Sequence, residues 1–159
     1  MSASPGPDVS DIEEVTRAIL AEHAGLEGAL LPVLHAVQAA FGFLPAAALR
    51  VIAQGLGISR AELHGVVSFH HDFRDAPAGR RVIKLCRAEA CQAVGAWALC
   101  DHALARLGID WGETTADGAV TLEAVYCLGL CACGPAALVD GRVAGRVTPE
   151  GFDRLVEGA

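Results

Sequence analysis

Aromatic residues are scarce in this sequence, at 5% of the chain. Any core must therefore rest on Ala, Val, Leu and Ile. No run of Lys and Arg occurs, and the formal net charge is −7. Phosphate backbones are held by clustered cations, so no nucleic-acid partner is expected. The stretch from Met1 to Asp11 has no basic segment and no apolar segment of the kind a signal or transit peptide carries. The expected compartment is the cytoplasm. No Gly-x-Gly-x-x-Gly follows a predicted strand and no Walker-type loop is present, so the chain itself is not expected to bind a dinucleotide. No Ser/His/Asp order, no His-Glu-x-x-His and no isolated carboxylate pair is found. Catalysis by this chain alone is therefore not expected. Cysteine is absent from the first half: all six lie after residue 85.

What is present suits a folded protein. Hydrophobic residues make up 53% and charged residues 19% of 159 residues. That is enough apolar content to bury a core, in one domain or a domain with a substantial extension. Gly28 to Leu49 holds no Asp, Glu, Lys or Arg and is long enough to span a bilayer. Pro32, His35, Gln38, Gly42 and Pro45 interrupt it. The Gly42–Pro45 region reads as a break between two shorter helices, and no membrane insertion is expected.

Four helices are predicted in the first half. Ser10 and Glu13 form a capping box that opens the first, to about Glu22. The second runs from about Ala29 to Phe41, where Leu30, Leu34, Val37 and Phe41 share one face. The third spans about Pro45 to Leu56 and stops at Gly57. Ser59 and Glu62 form another capping box, opening a fourth helix to about His70. Short loops between them predict a small helical bundle over residues 8–76. Asp75-Ala76-Pro77-Ala78-Gly79 reads as a joint.

The remainder, residues 80–159, alternates. Arg81–Cys86 reads as a strand, Cys91–Leu107 as a helix ending at Gly108, and Val120–Tyr126 as a strand. Ala136–Val139 and Arg142–Arg146 form a hairpin about Asp140-Gly141. Thr148, as N-cap, and Pro149 open a last helix. The order β-α-β-β-β-α predicts a small α/β layer, and α+β for the chain as a whole.

The cysteines are spaced Cys86-x4-Cys91, then 35 residues, then Cys127-x3-Cys131. Each pair follows a predicted strand. A helical crossover makes those two strands parallel, which puts both loops at one end of the sheet. Four thiolates can then converge. A 2Fe–2S cluster wants two thiolates on each iron, and loops of this length can wrap it. Gly129 and Gly134 suit close backbone approach. Ala88, Ala90, Leu128, Leu130 and Ala132 would limit water. A structural zinc site uses the same ligands but usually tighter Cys-x2-Cys turns. Disulfides or free thiols are a further reading, disfavoured in a reducing compartment. A thioredoxin-type dithiol needs Cys-x-x-Cys, which does not occur. Cys100 falls about 2.5 turns beyond Cys91 on the same predicted helix, on an apolar stripe, and reads as core. Cys133 reads as a residue behind the ligands.

Cys86-Arg87-Ala88-Glu89-Ala90-Cys91 and Tyr126-Cys127-Leu128-Gly129-Leu130-Cys131 resemble the thioredoxin-like 2Fe–2S ferredoxins. These include the small 2Fe–2S subunits of NADH dehydrogenase and of NAD-linked hydrogenases and formate dehydrogenases. The resemblance extends over about residues 12 to 156 and takes in Leu31-Pro32-Val33-Leu34-His35 and Phe41-Gly42-Phe43-Leu44-Pro45. It implies a thioredoxin-like ferredoxin domain after the bundle, and one 2Fe–2S cluster on Cys86, Cys91, Cys127 and Cys131. It also implies a partner subunit that carries FMN and NAD. Within the family, His71-Asp72-Phe73-Arg74, Cys86 to Gln92, Glu113 to Gly118 and Cys131-Ala132-Cys133-Gly134-Pro135 are similar to the gamma subunits of molybdenum-containing NAD-dependent formate dehydrogenases. That would add a molybdopterin-containing catalytic subunit. Complex I and hydrogenase subunits share the four cysteines. A zinc-stabilised interaction module and a free-standing ferredoxin complete the alternatives.

His64, His70 and His71 cluster near the end of the fourth helix, where capping or packing competes with a metal or proton role. His35 and His102 have no paired ligand nearby in sequence. Lys84 and Arg87 flank Cys86 and would favour reduction of a nearby cluster, unless they are ordinary solvated cations.

Overall fold

Asp8, not Ser10, caps the first helix: its carboxylate accepts from Ser10 N at 3.3 Å, and the helix begins at Val9. Both are good N-cap residues, and the one further upstream takes the position. The computed structural model describes residues 8–158. Most of the stretch read as lacking a leader lies outside them. Contacts within the chain divide it into two compact units, between Pro77 and Ala78.

The first unit is helical: α1 (Val9–Glu22), α2 (Leu30–Phe41), α3 (Ala46–Leu56) and α4 (Arg60–Phe69). Gly42, at φ 80°, ends α2 and separates it from α3. Among the described residues no helix is long and apolar enough to cross a membrane. Val33, Leu34 and Val37 of α2 are fully buried with Ala48 and Ile52 of α3. Leu30 and Phe41, on the same predicted face, pack half-buried at its margins. The Gln38 amide ties α2 to the segment after α4: it donates to Asp72 O at 2.7 Å and accepts from Arg74 N at 2.8 Å.

The capping box of α4 forms as its sequence dictates. Ser59 Oγ accepts from Glu62 N at 3.1 Å, and Glu62 Oε2 accepts from Ser59 N at 2.8 Å. These bonds to Ser59 hold the Glu62 carboxyl below the usual carboxylate range. A depressed acid stabilises the fold above its unfolded value, about 4.3, and that stabilisation is lost as pH falls through the lower folded value. Ser59→Ala is expected to cost about 1 kcal/mol at neutral pH, measured by urea unfolding.

The second unit carries the sheet. Its elements are β1 (Arg81–Cys86), α5 (Glu89–Ala93), α6 (Ala96–Leu107), β2 (Val120–Val125), β3 (Ala137–Val139), β4 (Arg142–Ala144) and α7 (Pro149–Glu157). Strand order is β2-β1-β3-β4, with β1 and β2 parallel and β3 antiparallel to both β1 and β4. Asp140 (φ 48°) and Gly141 (φ 81°) make the hairpin turn. Both need the left-handed region, which Gly adopts freely and Asp tolerates. Asp140 also accepts from Val82 N at 2.8 Å and pairs with Arg81 Nε at 3.1 Å, fixing the hairpin against β1. The core is Ile83, Leu85, Leu99, Ala103, Leu122 and Phe152.

The single helix expected over Cys91–Leu107 is two. Gly95 stands at φ 101° between α5 and α6, a conformation that ends one helix and starts the next. Cys91 and Cys100 therefore lie on different helices, and the count of turns between them does not apply. Cys100 is nonetheless core, 3% exposed in the cluster with Leu99 and Ala103.

Candidate metal centre

Parallel pairing sets Cys86 opposite Val125. Cys86 is the last residue of β1, and Cys127 comes two residues after the end of β2. Both cysteine loops thus leave the sheet at the same end. After β1 the chain turns at once into α5, where Cys91 N donates to Ala88 O at 3.0 Å. The Gln92 amide donates to Arg87 O at 2.6 Å and pins the intervening loop. After β2, Cys131 opens a short 3-10 turn to Cys133.

The four thiols form two pairs of different character. Cys86 and Cys91 are 3% and 2% exposed, whereas Cys127 and Cys131 are open to solvent. Each thiol acts on its loop neighbour: Cys86 raises Cys91, and Cys127 raises Cys131. The pairs also feel one another. Burial pushes the Cys91 thiol above its ordinary range, and the hydrogen bond with Cys86 and the charges of Cys86 and Cys131 push it further. Cys131 is raised first by the charge of Cys127, then by its hydrogen bond with Cys127, by burial and by Cys86. Thiolates crowded this way repel, and a cationic centre between them removes that cost. Among the described residues, no three His, Cys, Asp or Glu side chains gather about one metal-ion position. Each loop supplies two cysteines, and a donor set of two thiolates from each of two loops suits two irons with two thiolates each. All six cysteines are free thiols.

The surroundings are partly as the sequence suggests. Cys86, Cys91, Ala96 and Ala136 form a small core lined by Ala88, Val125, Leu128 and Leu130. Ala90 and Ala132 point to solvent instead. Gly134 makes the expected close approach: a Cβ there would lie 2.8 Å from Val94 Cγ2 and 3.4 Å from Cys91 Sγ. Gly129 does not, since a Cβ there would meet nothing within 4 Å. Its role is conformational, at φ 73°. That turn lets its N–H reach Cys127 Sγ at 3.4 Å. Cys127 itself stands at φ 117°. Holding a non-glycine residue there costs roughly 1–3 kcal/mol, strain of a kind concentrated at functional sites. The Gly134–Pro135 bond is cis. Pro135 thus precedes β3, which begins at Ala137.

Cys133 does not face the thiol pairs as a fifth equivalent. Its carbonyl accepts from Arg146 N at 2.6 Å, and a Cβ on Gly145 would lie 2.9 Å from its own Cβ. It lines a small cavity with Leu130, Val143 and Arg146. The histidines take packing roles. His70 meets Phe69 and Phe73 edge-on, His35 lies 4.9 Å from the Phe73 ring, and His102 Nε2 bonds Asp153 Oδ1 at 2.9 Å. His64 and His71 are exposed. Sequence spacing gave no sign of the two tryptophans that flank Arg87, at 5.3 Å for Trp97 and 4.9 Å for Trp111. Cation–π contacts between three elements leave no local pattern to read.

A mixed sheet with two cysteine-bearing loops at one end is the frame in which a family can be sought. The chain belongs to the thioredoxin-like [2Fe-2S] ferredoxin family, whose sequence profile matches residues 16–159. Membership brings with it one 2Fe–2S cluster and the thioredoxin-like ferredoxin fold. The chain is 34% identical over 152 residues to a subunit of the NADH-quinone oxidoreductase of Mycobacterium bovis, covering 95% of itself and 60% of that protein. It is 37% identical over 123 residues to a subunit of the NADP-reducing hydrogenase of Solidesulfovibrio fructosivorans, with 77% of this chain and 72% of that one covered. The crystal structure of an NAD+-reducing [NiFe]-hydrogenase superposes with a TM-score of 0.69 at 31% identity, over 81% of this chain and 22% of the hydrogenase chain. The chain thus spans little more than half the length of its mycobacterial relative.

Proposed function

We propose that Cys86, Cys91, Cys127 and Cys131 hold the 2Fe–2S cluster, and that the chain is an electron-transfer subunit of a cytoplasmic NAD-linked oxidoreductase. The observation that carries this is that the parallel pairing of β1 with β2 sends both cysteine-bearing loops off the same end of the sheet. Bound there, the cluster supplies one-electron chemistry. The chain's residues divide the remaining work. Cys86 and Cys91 sit in a dry pocket with Ala96 and Ala136, which keeps water from one side. Cys127 and Cys131 form the outward side, where a partner can approach. The Gly129 N–H donates toward Cys127 Sγ and orients that side chain.

In this reading residues 80–159 are the cluster domain and residues 8–76 a helical bundle that docks into the larger complex. The partner is a flavoprotein subunit that binds FMN and NAD. A formate dehydrogenase, with a molybdopterin-containing catalytic subunit, is the assembly that the residue stretches 71–74, 86–92, 113–118 and 131–135 support. The names of the relatives favour a second assignment, NADH dehydrogenase or an NAD(P)-linked hydrogenase. Co-purification separates these: molybdenum in the isolated complex supports formate dehydrogenase, and nickel or a quinone-reducing activity supports the others. At the level of the single chain, two irons and two acid-labile sulfides per protein are expected after anaerobic reconstitution. Zinc without labile sulfide would instead identify a zinc-stabilised interaction module.

A further inference from the structure

Two cations flank Cys86 in sequence, and the structure separates them. Lys84 Nζ lies 3.0 Å from Glu123 Oε2, with both side chains largely shielded from water. Its charge is cancelled where it stands. Arg87 forms no ion pair among the described residues. Its guanidinium lies between the rings of Trp97 and Trp111 instead, at 5.3 and 4.9 Å from their centroids. Its Nε is buried without a hydrogen-bond partner. An orphaned buried donor costs about 1–3 kcal/mol, so the placement is not explained by the stability of that atom. The backbone around it is fixed on both sides: Arg87 N donates to Val125 O at 2.8 Å, and Arg87 O accepts from the Gln92 amide at 2.6 Å.

Aromatic faces attract the cation without neutralising it, and the Arg87 side chain is partly buried between them. The charge reaches inward. Burial raises the Cys100 thiol, Arg87 draws it back down, and Cys86 acts on the same thiol in the opposite sense. Arg87 and Cys86 thus act within a common electrostatic neighbourhood.

We infer that Arg87 is a tuning residue: its unpaired charge, held in the Trp97–Trp111 box beside Cys86, raises the reduction potential of the cluster. The inference rests on the proposed assignment of Cys86 as a ligand. Reduction adds one negative charge to the centre, and a cation next to a ligand that no carboxylate neutralises favours the reduced state. Lys84 lacks this effect because Glu123 offsets it.

The test is a dye-mediated dithionite titration of the reconstituted full chain, followed by visible circular dichroism, for the unsubstituted protein, R87M and R87K. R87M is expected to weaken reduction by about three- to tenfold in equilibrium constant, tenfold being about 59 mV for one electron. R87K is expected to lose less than half of that. If R87M does not load, R87Q serves in its place. Equal potentials in R87M and the unsubstituted protein would overturn the inference and leave the ligand assignment standing. So would an R87K potential as low as that of R87M, since packing and not charge would then be at work. Failure of both uncharged variants to hold a cluster that R87K holds would assign Arg87 to assembly instead. No 2Fe–2S cluster in the unsubstituted protein would remove this inference and the ligand assignment together.

Discussion

Cys91→Ala is expected to reduce iron and acid-labile sulfide to background after anaerobic reconstitution, while Cys100→Ala and Cys133→Ala retain both. The difference follows from position. Cys91 is 2% exposed, beside the buried Cys86 in one small core, with Gly134 packed against its sulfur. Removing it leaves the buried half of the site with one thiolate where an iron needs two. No spare thiol can replace it. Cys100 is held in the core of Leu99 and Ala103 on α6, a different helix. The Cys133 backbone is tied to Arg146, and its side chain is packed against Gly145. The alanine side chain keeps the apolar character of the pocket, so far-ultraviolet circular dichroism should be unchanged. Iron, labile sulfide and the visible dichroism of the cluster are the measurements. Full iron and native dichroism in C91A would take Cys91 out of the ligand set. Loss of the cluster in C133A would bring Cys133 into it.

The parts of this protein that were legible in its sequence are those whose causes are local. The capping box at Ser59 and Glu62, the Asp140-Gly141 turn and the Thr148-Pro149 helix start each depend on two or three neighbouring residues, and each forms. The breaks at Gly42 and Gly57 are local in the same way. Spacing alone placed four cysteines in two loops, and the parallel pairing of β1 with β2 brings those loops to one end. The features that escaped depend on competition or on distance. An unbroken apolar pattern from Cys91 to Leu107 hid the break at Gly95, where backbone freedom outweighs periodicity. Asp8 and Ser10 are equivalent as cap residues, and only the folded backbone chooses between them. Gly129 and Gly134 look alike in sequence, yet one is required by φ and the other by a neighbouring side chain. Lys84 and Arg87 were equal candidates for acting on the centre. Glu123, 39 positions from Lys84 in sequence, and the two tryptophans separate them.

Phe152→Ala is expected to cost about 3–5 kcal/mol, a large share of the roughly 5–15 kcal/mol that holds a typical domain folded. Phe152 is 0% exposed and lies in the core with Ile83, Leu85, Leu99 and Leu122, under α7. In a chain so poor in aromatics, no other buried side chain in this unit has its volume. The ring also meets His102 edge-on, at 6.2 Å between centroids, and His102 in turn holds Asp153 of α7. Truncation therefore leaves a cavity and loosens the helix that covers the sheet. Thermal unfolding of the cluster-free chain should fall by on the order of 10 °C or more in the transition of the sheet-bearing unit. Val143→Ala, on an exposed strand position, should change stability by no more than about 0.5 kcal/mol. Cys86 ends the same strand that carries Ile83 and Leu85, so the support of one cysteine loop depends on that packing. Reconstituted F152A should then lose its cluster at a lower temperature than the unsubstituted protein, with all four proposed ligand cysteines still present. A melting temperature within a degree or two of the unsubstituted protein would mean that α7 is not packed on the sheet as described, and that the cysteine loops depend on some other support.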